Sequence, residues 1–362
     1  MIASGAELAS YLLGRGLIDN ASVVSGDLRI VEEARRNHVF RVPRNDGPSY
    51  FVKQGSVTEG SAYVAREAAL YQTAESDDRL AGVRRHLPRC YAYDPESGTL
   101  ILELLAGHRN LREYHKALGR FPVSTARSLG EALGRIHSET SVAGMEERLM
   151  GSFTSEPSWV LSIHRPPFQV LDTLSSASIE FIKIVQRFPD LGRHLDNLRR
   201  EWSRESLIHF DLGWENCLIG DGGIKLVDWE FCGFGDSLWD VGSVLASYLA
   251  FWVESMPVDS VSPVEQLPAL ARYPLENMQP AMRSFWDAYA SVVRQHDAGA
   301  PEPFMKAVRY CAVRLLEVAY GELQTAQALS AHALVLTQLS LNLLKRPAEA
   351  ATALFGIALA RA

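Results

Sequence analysis

The chain has 362 residues, 47% of them hydrophobic and 22% charged, an ordinary globular composition for a chain of two lobes or domains. Its formal net charge of -7 argues against a nucleic-acid-binding protein, because such proteins usually carry a basic surface. The four cysteines lack zinc-ligand spacing and a disulfide-rich pattern, so we expect buried free thiols in a reduced compartment.

Signals for export or membrane insertion are weak in this sequence. Residues 1–17 lack the basic start and the long apolar run of a signal peptide. The most apolar late stretch, residues 333–344, is short and interrupted by polar residues, which disfavours a membrane span. These patterns predict a cytoplasmic protein that has no membrane partner.

The first hundred residues have the pattern of β-strands with one helix. Short β-rich runs at residues 38–42 and 49–53 flank a turn-forming segment and predict a hairpin. Residues 60–74 are rich in alanine and have helical spacing. A second hairpin is predicted from residues 90–93 and 99–104.

We place a boundary after residue 105, which divides the chain into domains 1–105 and 106–362. Beyond it the pattern is mainly helical, with Ser124 as a candidate N-cap before apolar residues at helical spacing. A β-rich insertion at residues 207–230 interrupts the helical part. The predicted fold class is α+β, with a small β-rich N-terminal lobe and a large, mainly helical C-terminal lobe.

The insertion has two apolar runs around a glycine-rich turn, which is the pattern of a β-hairpin. If the loop comprises residues 221–223, Gly220 pairs with Ile224 and Asn216 lies opposite Asp228 on the same face. A two-residue loop would shift the register by one and place the two side chains on opposite faces. The prediction that Asn216 and Asp228 meet therefore depends on a three-residue loop.

These residue types indicate chemistry on phosphate groups. A carboxylate beside an amide oxygen suits Mg²⁺, which completes its shell with phosphate oxygens and waters. Asn216 and Asp228 are therefore candidate magnesium ligands. Asp211, five residues before Asn216, is a candidate acceptor for the proton of an attacking hydroxyl.

The spacing of His209, Asp211, Asn216 and Asp228 resembles the catalytic segment of the aminoglycoside phosphotransferase and choline kinase families, relatives of the protein kinases. Residues 235–240 match as well, and the resemblance covers residues 32–250. It implies a bilobal protein-kinase-like fold and an ATP- and Mg²⁺-dependent kinase with an alcohol acceptor. By this resemblance Asp211 is the catalytic base, and Asn216 and Asp228 are magnesium ligands. His209 braces the loop that carries Asp211, and Asp240 supports the same loop from the next helix.

The same resemblance implies a nucleotide-binding set in the first lobe. Lys53 would contact the α- and β-phosphates and Glu67 would orient it. Backbone groups around Glu103 would bind adenine; they belong to the last strand of the first lobe and to the segment that connects it to the second lobe. Asn37 is a candidate phosphate contact, in a segment that departs from expectation because no glycine occurs between residues 28 and 46.

Two aromatic residues lie within the catalytic segment. Phe210 stands where the family usually has glycine, so its ring is expected either to pack under the loop or to narrow the acceptor site. Trp214 is expected to be a core aromatic, with a place in the acceptor pocket as the alternative.

The acceptor follows neither from the motifs nor from the fold. One hypothesis is a small hydroxylated molecule such as an aminoglycoside, another antibiotic, choline or a sugar. The other, which we prefer at this point, is a serine or threonine of a precursor peptide. Residues 214–217 and the long chain look similar to kinases of class V lanthipeptide and thioviridamide-type pathways, where a partner lyase acts next. A pseudokinase scaffold is disfavoured because the residues of the kinase set are all present.

Overall fold

The computed structural model describes residues 2, 4–34, 38–55, 60–142, 153, 155–167, 174–257, 264–293 and 301–358. The contacts between residues divide the chain into two compact units. The first comprises Met1–Asn110, Gly151–Phe153 and Asn216–Cys232, and the second comprises Leu111–Met150, Thr154–Glu215 and Gly233–Ala362. The domains predicted at 1–105 and 106–362 follow chain order, whereas these units do not, because the hairpin segment groups with the N-terminal residues.

A five-stranded antiparallel sheet forms the centre of the first unit, in the spatial order β1-β2-β3-β5-β4. Its strands are β1 (Val31–Ala34), β2 (His38–Val42), β3 (Tyr50–Gln54), β4 (Cys90–Asp94) and β5 (Thr99–Glu103). The helices of this unit are α1 (Gly5–Gly14), α2 (Asn20–Val24), α3 (Gly60–Ser76) and α4 (Ala81–Arg84). Both predicted hairpins and the predicted helix α3 are present. The prediction of a single helix in the first hundred residues was wrong, because α1, α2 and α4 form there as well.

The two faces of this sheet have different roles. Buried apolar side chains of one face pack with those of α1; they include Leu8, Leu12, Phe40, Val52 and Ile101. Side chains alternate along a strand, so Lys53, the residue after Val52, points to the opposite face. There it meets Glu67 of α3. The strand pattern thus places one charged residue away from the apolar core.

The candidate catalytic hairpin consists of β8 (Cys217–Gly220) and β9 (Gly223–Leu226), and the short β6 (Arg109–Asn110) pairs with β8. Gly220 pairs with Gly223, so the loop has two residues and the predicted three-residue loop was wrong. Gly223 adopts a left-handed φ of 90° at the strand end, where it still pairs. The ladder therefore does not place Asn216 opposite Asp228.

The second unit is mainly helical. Its helices are α5 (Leu111–Leu118), α6 (Val123–Glu139), α7 (Ser176–Gln186), α8 (Pro189–Arg200), α9 (Leu238–Glu254), α10 (Gln279–Val293), α11 (Pro301–Leu323), α12 (Ala331–Lys345) and α13 (Pro347–Ala353). Strands β7 (Ser206–Ile208) and β10 (Gly233–Gly235) form a two-stranded antiparallel sheet. The N-cap predicted at Ser124 was wrong, because α6 already begins at Val123 with Pro122 in the cap position.

Close helix packing in this unit depends on glycines. A Cβ atom on Gly130 of α6 would lie 2.3 Å from the carbonyl oxygen of Phe285 in α10. A Cβ atom on Gly242 of α9 would lie 2.7 Å from the backbone nitrogen of Cys311 in α11. The second contact is important for the candidate site, because α9 and α11 both contact residues 209–211, which include the candidate base Asp211.

The sheet and the mainly helical remainder confirm the predicted α+β fold class. The four cysteines are free thiols; three are buried and Cys90 is partly exposed, whereas burial was expected for all. In the described part of the chain, no helix has both the length and the apolarity that a membrane crossing requires.

Candidate active site

The first part of the site is a buried lysine surrounded by carboxylates. Lys53 is 4% exposed, and its Nζ lies 2.9 Å from Glu67 Oε2, 2.6 Å from Asp228 Oδ1 and 2.7 Å from Glu230 Oε2. The lysine comes from β3, Glu67 from α3, and the other two acids from the segment after β9. The structure therefore brings three predicted residues together and adds Glu230 to them.

The charges of this cluster stabilise one another. Burial alone would lower the pKa of Lys53, but the carboxylates of Glu67, Asp228 and Glu230 raise it above its ordinary value. Burial raises the pKa of Glu67, and the nearby ammonium opposes that rise. Lys53 is therefore held as a cation, which is the form that can bind phosphate.

Backbone contacts fix the end of the hairpin segment beside this lysine. Glu67 Oε1 accepts a hydrogen bond from the backbone N–H of Trp229 at 3.2 Å, and Arg66 donates to the carbonyl of Glu230 at 3.3 Å. Trp229 is fully buried and its indole N–H donates to the carbonyl of Leu226. These contacts hold Asp228, whose backbone has a left-handed φ of 66°.

The donor set of Asp228 and Asn216 fits Mg²⁺. The side chain of Asp228 is 42% exposed although one of its oxygens contacts Lys53. Asn216 ends a 3₁₀ turn, and its carbonyl accepts a hydrogen bond from Val227 at 3.0 Å. Within the described residues, no three His, Cys, Asp or Glu side chains are arranged to hold a metal. Mg²⁺ usually binds through one or two carboxylates together with substrate phosphates, which this set allows.

In the second unit, Asp240 holds the backbone of the candidate catalytic loop, residues 209–211. Its fully buried carboxylate accepts hydrogen bonds from the N–H groups of His209 at 2.7 Å and Phe210 at 3.2 Å. The same carboxylate lies 3.3 Å from His137 Nε2. Asp240 belongs to the first turn of α9, the helix that follows the hairpin segment. His209 is itself fully buried.

Phe210 has a left-handed backbone, with a φ of 69°. Its carbonyl accepts hydrogen bonds from the indole N–H of Trp239 at 2.8 Å and from Arg314 at 3.5 Å. Its ring is partly buried, with a centroid 5.8 Å from that of Trp202. A left-handed φ favours glycine, which gives a physical reason for glycine at this position of the family. The ring packs against Trp202, and the expected packing under the loop or narrowing of the acceptor site stays a prediction.

The side chain of Asp211 is 51% exposed, and its Oδ1 accepts a hydrogen bond from Arg314 Nη2 at 3.0 Å. Arg314 belongs to α11, and its other terminal nitrogen binds Glu317 of the same helix. Burial alone would lower the pKa of Arg314, whereas Glu317 and Asp211 raise it. The candidate base therefore has a permanent buried cation beside it.

Three other predicted residues lie apart from these contacts or cannot be placed. The carboxylate of Glu103 accepts a hydrogen bond from the backbone of Arg89 at 3.1 Å, at the end of β5. Lys53 pairs with Leu100, three residues earlier on that strand. Trp214 is 1% exposed and packs among other aromatic rings, as expected of a core residue. Asn37 lies outside the described residues.

Sequence reasoning missed Glu230 and Arg314. Glu230 did leave a signal, because it is a second carboxylate two residues after a predicted metal ligand. Arg314 left none, because it lies in the middle of the 23-residue helix α11, far from Asp211 in sequence and outside any motif.

Comparison with known proteins supports the kinase interpretation. The family profile described as "Phosphotransferase enzyme family" matches residues 27–281. A search of curated protein sequences finds no significant match. A choline kinase from Cryptosporidium parvum Iowa II is similar in structure, with a TM-score of 0.57 and 14% identity over 96% of this chain and 98% of that one.

Two other solved structures have comparable similarity. A glucosamine kinase has a TM-score of 0.52 and 17% identity, over 88% of this chain and 82% of that one. An amicoumacin kinase has a TM-score of 0.51 and 15% identity, over 92% of this chain and 95% of that one. At these identities the likeness shows the fold, and it confirms the predicted bilobal kinase-like architecture.

Because the family profile spans most of the sequence, the chain belongs to the phosphotransferase enzyme family. It is an enzyme that transfers a phosphoryl group to a hydroxyl, with ATP and Mg²⁺ as cofactors. The sequence interpretation as a kinase with an alcohol acceptor is confirmed at this level.

Proposed function

We propose that this protein transfers the terminal phosphoryl group of ATP to a hydroxyl of a small molecule, with Asp211 as the base. One observation carries the proposal, the contact of the buried Lys53 with both Glu67 and Asp228. In protein kinases a strand lysine pairs with a helix glutamate, and an aspartate of another segment holds magnesium. The same three residue types meet in this unit.

Each residue of the first unit then has a defined task. The ammonium of Lys53 binds the α- and β-phosphates, and Glu67 orients it. Asp228 and Asn216 hold Mg²⁺, which neutralises charge on the phosphates when it is bound. The assignments of Asn37 to phosphate binding and of the backbone around Glu103 to adenine stay predictions.

The residues of the second unit act on the acceptor. Asp211 receives the proton of the acceptor hydroxyl while that oxygen forms a bond to the terminal phosphorus. The bond from this phosphorus to the bridging oxygen breaks, and ADP leaves with the electron pair. Asp240 and His209 keep the loop in the conformation that presents Asp211.

The choice of a small acceptor is supported by the structural neighbours, whose names specify choline, glucosamine and amicoumacin kinases. The second candidate is a serine or threonine of a precursor peptide, with a partner lyase, as the similarity of residues 214–217 suggested. That candidate is weaker, because Trp214 is buried in an aromatic core and offers no surface to a peptide. The cytoplasmic location stays a prediction.

The test is a screen for ADP release from ATP and Mg²⁺ with choline, glucosamine, aminoglycosides, macrolides and serine- or threonine-containing peptides as acceptors. We expect a small molecule to be phosphorylated. In Asp211→Asn, turnover should fall roughly 10²- to 10⁴-fold, the usual contribution of a positioned base, while nucleotide binding persists.

Three outcomes would contradict parts of this proposal. Normal turnover of Asp211→Asn would reject Asp211 as the base. Phosphorylation of peptides alone would replace the small acceptor by a peptide. Nucleotide binding without phosphorylation of any acceptor would favour the pseudokinase alternative.

A further inference from the structure

We propose that Arg314 is a positioning residue for phosphoryl transfer, which acts by fixing the carboxylate of Asp211 toward the acceptor. This inference rests on the proposed function, because it takes Asp211 as the base. The pair joins the exposed end of the catalytic loop to the buried face of α11. The side chain of Asp211 is 51% exposed, whereas that of Arg314 is 9% exposed.

The guanidinium of Arg314 is held on several sides. Nη2 donates to Asp211 Oδ1 at 3.0 Å, while Nη1 binds Glu317 and lies 3.5 Å from the carbonyl oxygen of Phe210. Its central carbon lies 5.8 Å from the centre of the Trp239 ring. The Arg314 side chain therefore has little rotamer freedom, and its hydrogen bond fixes the position of the Asp211 carboxylate.

The geometry calls for arginine in particular. The planar guanidinium presents donors in a fixed fork, so it can serve Asp211 and Glu317 at the same time. A lysine ammonium is a single point charge at the end of a flexible chain and cannot reproduce that fork. Glu317 in turn neutralises the buried cation, and burial raises the pKa of its own carboxyl.

The consequence is kinetic. An exposed aspartate on a loop samples several rotamers, and only some of them point at the acceptor hydroxyl. Misplacement of a reacting group by about 1 Å can cost roughly 10²-fold in rate. Arg314 removes this freedom without itself touching the substrate, so its loss should lower kcat and leave the KM for ATP unchanged.

The experiment is a double-mutant cycle of Arg314→Met with Asp211→Asn, with Arg314→Lys as the conservative variant. ADP release from ATP and Mg²⁺ is measured with water alone and with choline, glucosamine and amicoumacin as acceptors. We expect Arg314→Met to lower kcat roughly 10- to 100-fold, with the KM for ATP changed by less than about twofold. Arg314→Lys should recover part of this loss.

In the Asp211→Asn background the same Arg314→Met change should alter kcat by less than about twofold, because the group that Arg314 positions is already disabled. Arg309→Met is the matched control. It lies on the same helix and pairs with Glu302 and Glu201 at the surface, so its removal should leave kcat unchanged.

The same series includes a variant that separates a loss of catalysis from a failure to fold. Arg314→Met leaves the partly buried Glu317 without its cation, so Arg314→Met with Glu317→Gln is measured as well; it should fold and still show the loss of kcat. If Arg314→Met lowered kcat by the same factor in the wild type and in Asp211→Asn, the proposal would be overturned. The role of Arg314 would then be only structural. Turnover that does not depend on Asp211 at all would instead overturn the proposed function.

Discussion

At the scale of single residues, backbone strain is concentrated at the candidate site. Among the described residues that are not glycine, only Phe210 and Asp228 have a positive φ. One of them precedes the proposed base and the other is a proposed metal ligand. A left-handed conformation costs a residue with a Cβ atom about 1–2 kcal/mol. Contacts from Asp240 and Trp239 hold the backbone of Phe210 in this conformation. The contact from Lys53 holds Asp228.

Phe210 allows this strain to be measured. Phe210→Ala and Phe210→Gly both remove the ring, but only alanine keeps a Cβ atom at a φ of 69°. We expect the glycine variant to be more stable than the alanine variant by about 1 kcal/mol, the reverse of the usual order. Urea unfolding of the two variants measures the difference.

Tyr114 provides the control for this comparison. It is another partly exposed aromatic residue, and it lies inside the helix α5, where alanine is favoured over glycine. Tyr114→Ala should therefore be more stable than Tyr114→Gly. The same order at both positions would show that the left-handed backbone of Phe210 stores no strain in solution.

At the scale of secondary-structure elements, the position of the catalytic loop depends on how closely helices approach. The helix α9, which carries Asp240, meets α11, which carries Arg314, at Gly242. The pair α6 and α10 meets in the same way at Gly130 and Gly134. In both cases the missing side chain is what permits the contact, so these glycines cannot be replaced without a shift of the helices.

Gly130→Ala tests this packing. Its Cβ atom would collide with the backbone of Phe285, so we expect the free energy of unfolding to fall by about 1–3 kcal/mol. Gly321→Ala is the control, because it lies in α11 with no atom within 4 Å of its Cβ position. There alanine should stabilise the protein by about 0.5–1 kcal/mol. Equal effects of the two substitutions in thermal unfolding would contradict the account of helix packing.

Part of these elements could be predicted from the sequence, whereas the short helices α1, α2 and α4 were missed. The pattern of apolar residues and turns gave the hairpins of the first unit and the helix α3. The register of the β8–β9 hairpin was wrong because Asp221, Gly222 and Gly223 allow two loop lengths. The choice depends on whether Gly223, with its left-handed φ, lies in the loop or in the ladder.

At the scale of the whole molecule, each unit brings together candidate site residues that are far apart in sequence. Lys53, Glu67 and Asp228 are brought together in the first unit, while Asp211, Asp240 and Arg314 are brought together in the second. The first set and the loop residues could be predicted because they follow a recognisable spacing. Arg314 could not, because a contact between a loop and a distant helix leaves no local pattern.

The most direct test of the central claim is the binding of ATP with Mg²⁺, followed by thermal stability. The wild type should be stabilised by about 2.7 kcal/mol at a nucleotide concentration of 100 times the Kd, and only when Mg²⁺ is present. Asp228→Asn, which tolerates the left-handed backbone, should lose this magnesium-dependent gain, and Asp221→Ala, at the exposed hairpin turn, should keep it. Absence of stabilisation in the wild type, or a full gain in Asp228→Asn, would contradict the proposed nucleotide site.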